Sequence, residues 1–311
     1  MKKILITGGA GYIGSAILSA NRPGANVVVF DNLYWNQGAL VYPLLRSFDF
    51  FNESILDWSD DLKREIASAD VIFPLAALVG APLCEKEAEL AEELNYGWFK
   101  KLTNYLDKQL VVYPNTNSGY GSTGDHVCTE ETPMNPISLY GKTKQSTEEL
   151  LLNSYDNSIV FRLATVFGWS FRPRMDLLVN NLTAIAHKDK RLEVFDGHFR
   201  RNYIHVQDVA AGFSFAVQHR DRMRQNVYNL GNDSINMTKE SLARIICDVT
   251  GASYVPITDR TDPDKRDYLV SSQKLYDLGY EPRSDLRRGI KEILEFCSFD
   301  PCEGEPQLNN Y

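Results

Sequence analysis

The chain has 311 residues, of which 43% are hydrophobic and 24% charged, with a formal net charge of −8 at pH 7. This length provides a core for about two domains, or for one large α/β unit with a lobe. The acidic balance argues against a nucleic-acid partner. No apolar stretch approaches the roughly 18 residues of a membrane-spanning helix, and the Met1-Lys2-Lys3 start leads into a strand. We therefore expect a cytoplasmic protein without a membrane partner.

Short apolar runs that predict buried strands recur through the first half of the chain, at 4–7, 27–30, 71–75, 110–113 and 159–163. Helix-compatible segments separate most of them, most clearly at 85–106 and 139–153. Alternating strands and helices predict an α/β fold with a doubly wound parallel sheet.

Beyond about residue 168 the pattern becomes irregular, and helices are predicted at 175–187, 238–250 and 286–296. Residues 227–231 predict a strand that returns to the first domain, so the second lobe is interleaved. The first domain is predicted at 1–168 with a returning segment near 203–232, and the second lobe at 169–202 and 233–298. A loose tail is predicted at 299–311. The five cysteines lack metal-type pairing, which predicts free thiols and no metal.

A glycine-rich turn joins the first predicted strand to the first helix. Gly8, Gly11 and Gly14 recur at three-residue spacing, which lets the backbone turn tightly and aim a helix N-terminus at a pyrophosphate. The second strand ends in Asp31, whose carboxylate can accept hydrogen bonds from the adenine ribose and repel a 2′-phosphate. Glycines alone are weak evidence, but this whole order of elements predicts a dinucleotide site. The sequence predicts NAD rather than NADP.

Tyr140 and Lys144 are four residues apart and face the same side of a predicted helix. A neighbouring ammonium and a positive nicotinamide ring favour the phenolate of a tyrosine. Tyr140 can then remove a proton from a substrate hydroxyl while hydride leaves the same carbon. Thr116, after the strand at 110–113, can share that proton. A turn whose hydroxyls only cap backbone groups is an equally good explanation of Thr116.

Together these motifs resemble the extended short-chain dehydrogenase/reductase family, in its nucleotide-sugar epimerase/dehydratase branch. The matching positions extend over nearly the whole chain: 7–14, 31–33, 75–77, Asn95, Thr116, 120–121, Tyr140, Lys144, 162–168 and 201–209. The resemblance implies a Rossmann-type sheet, a smaller C-terminal substrate-binding lobe, and oxidation at C4 of a nucleotide-diphosphate sugar. The cofactor residues that it implies, besides Tyr140 and Lys144, are Gly8, Gly11, Tyr12, Ile13, Gly14, Asp31, Asn32, Ser54, Ile55, Leu75, Ala76 and Ala77.

On the substrate side, the resemblance implies a diphosphate clamp made by Arg201 and Arg266, with Arg260 competing for the second place. Guanidinium suits this task because it is permanently charged and binds phosphate through two hydrogen bonds. Further substrate residues are expected at Thr116, Asn117, Ser118 and Thr165. His205 is expected to be a buried structural histidine.

Some positions depart from the pattern of this family. Asn117 and Ser118 stand where its dehydratases carry acidic residues, and neither can act as an acid or base near neutral pH, which disfavours elimination of water. A 4-epimerase and a 4-dehydrogenase both remain open. Ser54 replaces an aspartate that often contacts adenine, and Thr165 replaces an asparagine.

Two further hypotheses stay open. One is a reductase of the same fold that acts on a small hydroxy or keto substrate, and the other, from another class, is a non-catalytic dinucleotide-sensing protein. The resemblance also implies a homodimer formed by a four-helix bundle of segments 88–107 and 138–153. Its apolar residues are assigned either to that seam or to the core: Leu94, Phe99, Leu102, Leu150 and Leu151.

Overall fold

The computed structural model of the chain describes residues 2–21, 26–257, 267–299 and 308–310. The strands are β1 (Ile4–Thr7), β2 (Val27–Phe30), β3 (Asp49–Phe51), β4 (Val71–Pro74), β5 (Leu110–Thr116), β6 (Val127–Cys128), β7 (Ser158–Leu163), β8 (Thr165–Phe167), β9 (Arg191–Phe195), β10 (Arg200–His205), β11 (Asn226–Leu230), β12 (Asn232–Thr238), β13 (Ser253–Ile257) and β14 (Leu269–Val270). The helices are α1 (Tyr12–Ala20), α2 (Gly38–Leu45), α3 (Asp60–Ser68), α4 (Ala81–Lys86), α5 (Ala88–Glu92), α6 (Trp98–Leu102), α7 (Leu139–Ser154), α8 (Leu178–Asp189), α9 (Val206–Gln218), α10 (Arg220–Met223), α11 (Lys239–Thr250), α12 (Gln273–Tyr276) and α13 (Leu286–Phe299).

Seven strands form one parallel sheet in the order β11-β7-β5-β4-β1-β2-β3. The chain first moves from β1 to β3 on one side and then from β4 to β11 on the other, so the sheet is doubly wound and its direction reverses between β1 and β4. β11 pairs with β7, with Val227 opposite Val160, and thus returns to this sheet as the sequence predicts. The predicted Rossmann-type α/β fold class is confirmed.

The two faces of the large sheet are covered by different helices, because successive strand side chains point to opposite faces. On one face, Ile6 and Phe161 pack in a cluster with residues of α1 and α9. On the other, Leu5 and Val160 pack with residues of α3, α6 and α7. Strands buried on both faces are continuously apolar, which is why runs such as 27–30 predicted strands without alternation.

The later segments form small sheets around a separate core. β10 pairs with β8 and β12, β9 with β13, and β6 with β14. Helices α8, α11 and α13 pack on one another around an apolar cluster that includes Val179, Leu242 and Ile290. Within the described ranges, none of the helices is both long and apolar enough to cross a bilayer.

The helix predicted over 85–106 is interrupted in the structure. It consists of α4, α5 and α6, with a π-helical turn at Glu93–Gly97. Asn95 lies in that turn, where its side chain accepts a hydrogen bond from Leu78 N (2.9 Å) and donates one to Leu78 O (2.8 Å). The backbone carbonyl of Asn95 accepts another hydrogen bond, from Thr147 Oγ1 at 2.6 Å. The single-helix prediction was wrong because these tertiary contacts hold a turn that helical periodicity does not reveal.

The apolar residues assigned either to a dimer seam or to the core contribute to the core. Phe99, Leu102 and Leu151 are at most 1% exposed, and Leu94 and Leu150 pack against the same cluster. The exposed surface of these helices carries charged side chains: Glu89, Glu92, Glu93, Lys100, Lys101, Lys142 and Glu149. The core interpretation is confirmed for Phe99, Leu102 and Leu151, and the seam interpretation is wrong for these three.

Residues 308–310, which the sequence assigned to a loose tail, are packed. Leu308 is 4% exposed and lies in an apolar cluster with Met175, Ile293 and Cys297. Its carbonyl accepts a hydrogen bond from Met175 N at 2.8 Å. The loose-tail prediction was wrong for this stretch, because a polar and acidic average composition conceals a single apolar anchor.

Candidate active site

The turn between β1 and α1 brings two backbone segments into close contact. Gly8 has φ +72°, and a Cβ atom there would lie 2.5 Å from the backbone nitrogen of Ala76, just after β4. A Cβ atom at Gly14 would lie 2.6 Å from Gly9 Cα, so both positions require glycine. No side chain in the described ranges caps α1. Its first N–H groups are therefore available to an anion such as a pyrophosphate.

A cleft runs along this turn, past the ends of β2 and β4. Nine residues predicted at the cofactor line it: Gly8, Gly11, Asp31, Asn32, Ser54, Ile55, Leu75, Ala76 and Ala77. The side chain of Tyr12 is buried instead and donates a hydrogen bond to Gly168 O at 2.7 Å. For Tyr12, Ile13 and Gly14, which lie at the start of α1 outside this lining, only the backbone is suited to contact a dinucleotide.

The sequence did not predict the other half of the cleft wall, which is formed by Phe30, Tyr34, Trp35, Gln37, Glu53, Leu56, Leu78, Leu90 and Leu94. These residues come from four separate segments and share no motif. Most of them are aromatic or aliphatic, and the flat apolar surface that they offer suits an adenine ring. Their convergence depends on the tertiary fold, so no local pattern could have identified them.

The Asp31 carboxylate is fixed at the carboxyl end of β2. One oxygen accepts a hydrogen bond from Ala10 N at 3.0 Å, and the other accepts one from Leu33 N at 2.8 Å. Burial raises the pKa of Asp31 above its ordinary value, although these two N–H groups and the nearby Arg172 guanidinium oppose the shift. A carboxylate here suits the ribose hydroxyls of NAD and repels a 2′-phosphate.

Helix α7 carries both Tyr140 and Lys144. Ser138 caps its N-terminus by accepting a hydrogen bond from Gly141 N at 3.2 Å. Lys144 is 3% exposed, and its Nζ lies 4.1 Å from the centre of the Tyr113 ring on β5. Burial lowers the pKa of Lys144 to about 7. This side chain can therefore gain or lose its proton near neutral pH.

Tyr140 packs beside the dinucleotide cleft. It belongs to an apolar cluster with Leu83 and Cys84, and four residues of that cluster also line the cleft: Trp35, Leu78, Leu90 and Leu94. The residue predicted as the base thus packs against residues that line the cleft, in the half of its wall that the sequence did not predict.

Thr116 is the last residue of β5, and its hydroxyl caps the following turn. Its Oγ1 accepts a hydrogen bond from Ser118 N at 3.1 Å and lies 2.7 Å from Ser118 Oγ. Thr116 thus caps this turn, and its hydroxyl also lies at a strand end where substrates bind in such sheets. Asn117 is 1% exposed, and its side-chain amide has no hydrogen-bond partner among the described residues. A buried amide usually has a partner, so this one is suited to a molecule from outside the chain.

A buried ion pair joins α7 to the strands beneath it. Glu148 accepts hydrogen bonds from Arg162 Nε at 3.1 Å and Nη2 at 2.5 Å. It also accepts one from Asn115 Nδ2 at 2.5 Å. Asn115 directly precedes Thr116, so the pair fixes that strand end against the helix of Lys144. Sequence analysis missed Glu148, although its position four residues after Lys144 was a usable sign.

Of the arginines predicted for the diphosphate clamp, Arg201 lies in the described part of the chain. Arg201 is 4% exposed, its Nη1 donates to the preceding backbone carbonyl at 2.9 Å, and its Cζ lies 5.4 Å from the Tyr268 ring. Thr165 is half-buried in β8. Arg266 and its competitor Arg260 lie outside the described residues.

His205 has the structural role expected from the sequence. Its Nδ1 accepts a hydrogen bond from Gln207 N at 3.2 Å and caps α9, so Nε2 carries the proton and lies 2.8 Å from Glu292 Oε2. A Cβ atom at Gly168 would lie 2.2 Å from that nitrogen. The imidazole is therefore enclosed and fully used by its neighbours.

Comparison with known proteins agrees with this geometry. The model of the NAD dependent epimerase/dehydratase family matches residues 4–231. UDP-glucose 4-epimerase of Halalkalibacterium halodurans is 29% identical over an alignment of 309 positions, gaps included, that covers 90% of each chain.

Two solved structures share the fold over almost the entire length of the chain. UDP-glucose 4-epimerase of Thermotoga maritima, solved with UDP-glucose, has a TM-score of 0.81 and 26% identity over 96% of this chain and 99% of that one. UDP-glucuronic acid 4-epimerase of Bacillus cereus, solved with UDP-glucuronic acid and NAD, has a TM-score of 0.84 at 24% identity over the same shares, a likeness that shows the fold. The chain therefore belongs to the NAD-dependent epimerase/dehydratase family, as an NAD-dependent enzyme of the extended short-chain dehydrogenase/reductase type.

Proposed function

We propose that this enzyme oxidises C4 of a nucleotide-diphosphate sugar and returns the hydride to the opposite face, as a 4-epimerase. The observation that carries the proposal is the packing of Tyr140 in one apolar cluster with residues that line the dinucleotide cleft, together with the non-acidic Asn117 and Ser118 after Thr116. The first feature supports hydride chemistry on a hydroxyl-bearing carbon. The second disfavours elimination of water, which needs an acid and a base at neighbouring carbons.

The residues of the cleft suit NAD. The backbone around Gly8 and Gly11 would hold the pyrophosphate at the start of α1, Asp31 would hold the adenine ribose, and Lys144 would hold the nicotinamide ribose. When bound, NAD supplies a hydride acceptor and donor at its nicotinamide ring.

Tyr140 acts as the general base in this proposal. A charged Lys144 one turn away favours the phenolate, and the phenolate takes the proton from the C4 hydroxyl. The Thr116 hydroxyl, paired with Ser118, donates or accepts a hydrogen bond at the same oxygen. After the sugar has turned within the site, Tyr140 gives the proton back as hydride returns to C4.

The relatives point to a UDP-sugar as the substrate, since a UDP-glucose 4-epimerase is 29% identical over 90% of each chain. Arg201 would contact the diphosphate, assisted by Arg266, and Asn117 and Thr165 would contact the sugar. When the diphosphate binds, the Arg201 guanidinium either moves off the Tyr268 ring or stays packed against it. In both cases the guanidinium lies in the substrate lobe.

We also propose a homodimer formed by helices of segments 88–107 and 138–153. Because charged residues such as Glu89 and Lys100 occupy the exposed side of these helices, the contact between the subunits would be polar. Its affinity would fall with ionic strength. Light scattering at low and high salt tests this, and a single 35.3 kDa species at low salt would refute it.

Product analysis tests the proposed reaction. The purified enzyme is incubated with NAD and either UDP-glucose or UDP-glucuronic acid, and the sugars are analysed by NMR. A C4 epimer in either reaction supports a 4-epimerase. Stoichiometric reduced nicotinamide with a keto sugar indicates the 4-dehydrogenase instead. A 4-keto-6-deoxy sugar would show that Asn117 and Ser118 do not prevent elimination.

A further inference from the structure

Arg172, in the loop between β8 and α8, reaches the back of the dinucleotide cleft. Its side chain is 2% exposed, and its Cζ lies 5.7 Å from the ring of Trp35, which lines the cleft. Its backbone N–H donates to Ser15 Oγ in α1 at 3.3 Å. The loop is therefore joined to the helix that begins at the glycine-rich turn.

The Arg172 guanidinium is buried near three charged groups, those of Arg174, Asp176 and Asp31. The nearby Arg174 already pairs with Asp176, and no carboxylate of the described residues forms an ion pair with Arg172. The Asp31 carboxylate and the Arg172 guanidinium nevertheless influence each other's ionisation. Since a buried guanidinium is costly without partners, the Trp35 ring and the carbonyl of Asn309, both of which it contacts, are important parts of its environment.

The C-terminal segment accepts a hydrogen bond from this guanidinium, from Nη2 to Asn309 O at 3.2 Å, while Nε has no partner in the described part of the chain. The same segment is anchored next to Arg172 by the buried Leu308, whose carbonyl accepts from Met175 N. Residues 308–310 thus hold the loop at two points.

We propose that Arg172, held in place by residues 308–310, is a positioning residue that fixes the Trp35 ring at the dinucleotide cleft, so that the C-terminal segment influences NAD affinity. This inference rests on the proposed NAD site at Asp31. It assigns to the end of the chain, far from the glycine-rich turn in sequence, a function in cofactor binding.

Calorimetric titration with NAD tests the proposal on full-length protein and variants. We expect Arg172→Met, and separately deletion of residues 308–311, to weaken NAD binding about tenfold, which corresponds to about 1.4 kcal/mol. Arg172→Lys, which keeps the charge, should recover part of the affinity. Arg191→Met is the matched control, because Arg191 is exposed and pairs only with Glu193 among the described residues. It should bind NAD like the unmodified protein.

Ligand-free melting curves distinguish positioning from general damage. Unchanged NAD affinity in a folded Arg172→Met variant would overturn the proposal, and unchanged affinity after the deletion would overturn the role of the C-terminus. If Arg172→Met does not fold, the deletion and Arg172→Lys decide the question. Unmodified protein that binds no NAD would instead contradict the proposed cofactor site. Quenching of tryptophan fluorescence by NAD should weaken in parallel, since Trp35 lines the cleft.

Discussion

Lys144 shows how one side chain can be tuned by its surroundings. It is buried against the Tyr113 ring, and burial lowers its pKa from 10.5 to about 7. In the folded protein it is charged below about pH 7 and neutral above, whereas in the unfolded chain it stays charged up to about pH 10.5. Between these two values the unfolded state binds more protons, so this group makes the protein more stable as the pH rises.

Lys144→Met removes that titration. We expect the variant to be more stable than the unmodified protein near pH 6.5, because no charge is buried. Above about pH 7 this advantage should shrink by up to about 1.4 kcal/mol per pH unit. Urea denaturation of the ligand-free proteins at about pH 6.5, 7.5 and 8.5 measures the difference. A difference that does not change with pH would show that Lys144 does not titrate in this range.

Tyr140→Phe removes only the phenol oxygen at the wall of the cleft. Turnover should fall roughly 10²- to 10⁴-fold, the usual contribution of a general base, while NAD affinity stays the same because the ring still packs with Leu83 and Cys84. Rate and calorimetric measurements are made on the same preparation. Tyr105→Phe, at an exposed position, serves as the control. Equal turnover in both variants would contradict the role of Tyr140 as the base.

Asp31→Asn tests the choice of cofactor. The amide can still accept one hydrogen bond at the end of β2, but it no longer repels a 2′-phosphate. We expect weaker NAD binding and stronger NADP binding, so that their affinity ratio moves towards NADP by about tenfold or more. Titrations with both dinucleotides give this ratio. A ratio that stays unchanged would remove Asp31 from the ribose site.

At the scale of single residues, the sequence was most informative where chemistry forces a residue type. Gly8 was predictable because its φ and the approach of Ala76 leave no room for a side chain. The aromatic wall at Trp35 was not predictable, because any apolar residue of suitable shape could form such a wall. No spacing rule in the sequence links Trp35 to the cleft.

At the scale of elements, the buried Glu148–Arg162 pair connects the helix of the base with the end of β5. Arg162 also donates to Tyr120 OH at 2.8 Å, and Tyr120 donates to Asn229 Oδ1 on β11 at 2.7 Å. The network therefore extends across three strands and one helix. Such networks fix a unique arrangement only while every member has its partner.

Glu148→Gln breaks this network by leaving the Arg162 charge without its carboxylate. We expect a loss of about 3–5 kcal/mol in the free energy of unfolding, as for other buried pairs that lose one partner. Glu149→Gln, one position away on the exposed surface, should change stability by less than about 0.5 kcal/mol. Chemical denaturation compares the two variants. Equal stabilities would mean that the pair contributes little.

Most elements of the large sheet were predictable, because buried parallel strands are apolar throughout. The short strand β3 and the break in the helix at 85–106 were not. β3 has three residues, Asp49–Phe51, of which none is fully buried, so it lacks the usual apolar run. The π turn depends on the hydrogen bonds between Asn95 and Leu78, which are 17 residues apart in the sequence. Helical periodicity compares residues only three or four positions apart, so it could not reveal this turn.

At the largest scale, one loop joins the first helix of the chain to its C-terminal segment. The loop after β8 contacts α1 through Ser15 and the C-terminal segment through Asn309. The prediction of a loose tail at 299–311 rested on the polar and acidic composition of this stretch and on its two prolines. The packing of Leu308 could be found only from the three-dimensional structure.

The central claim is that hydride moves to and from C4 while Tyr140 carries the proton. The most direct test uses a UDP-sugar with deuterium at C4, incubated with the enzyme and NAD, with the products analysed by NMR and mass spectrometry. The account predicts that deuterium either remains at an inverted C4 or appears in the reduced nicotinamide, with a slower rate than for the unlabelled sugar. Loss of the deuterium to water, or turnover without any effect at C4, would contradict it.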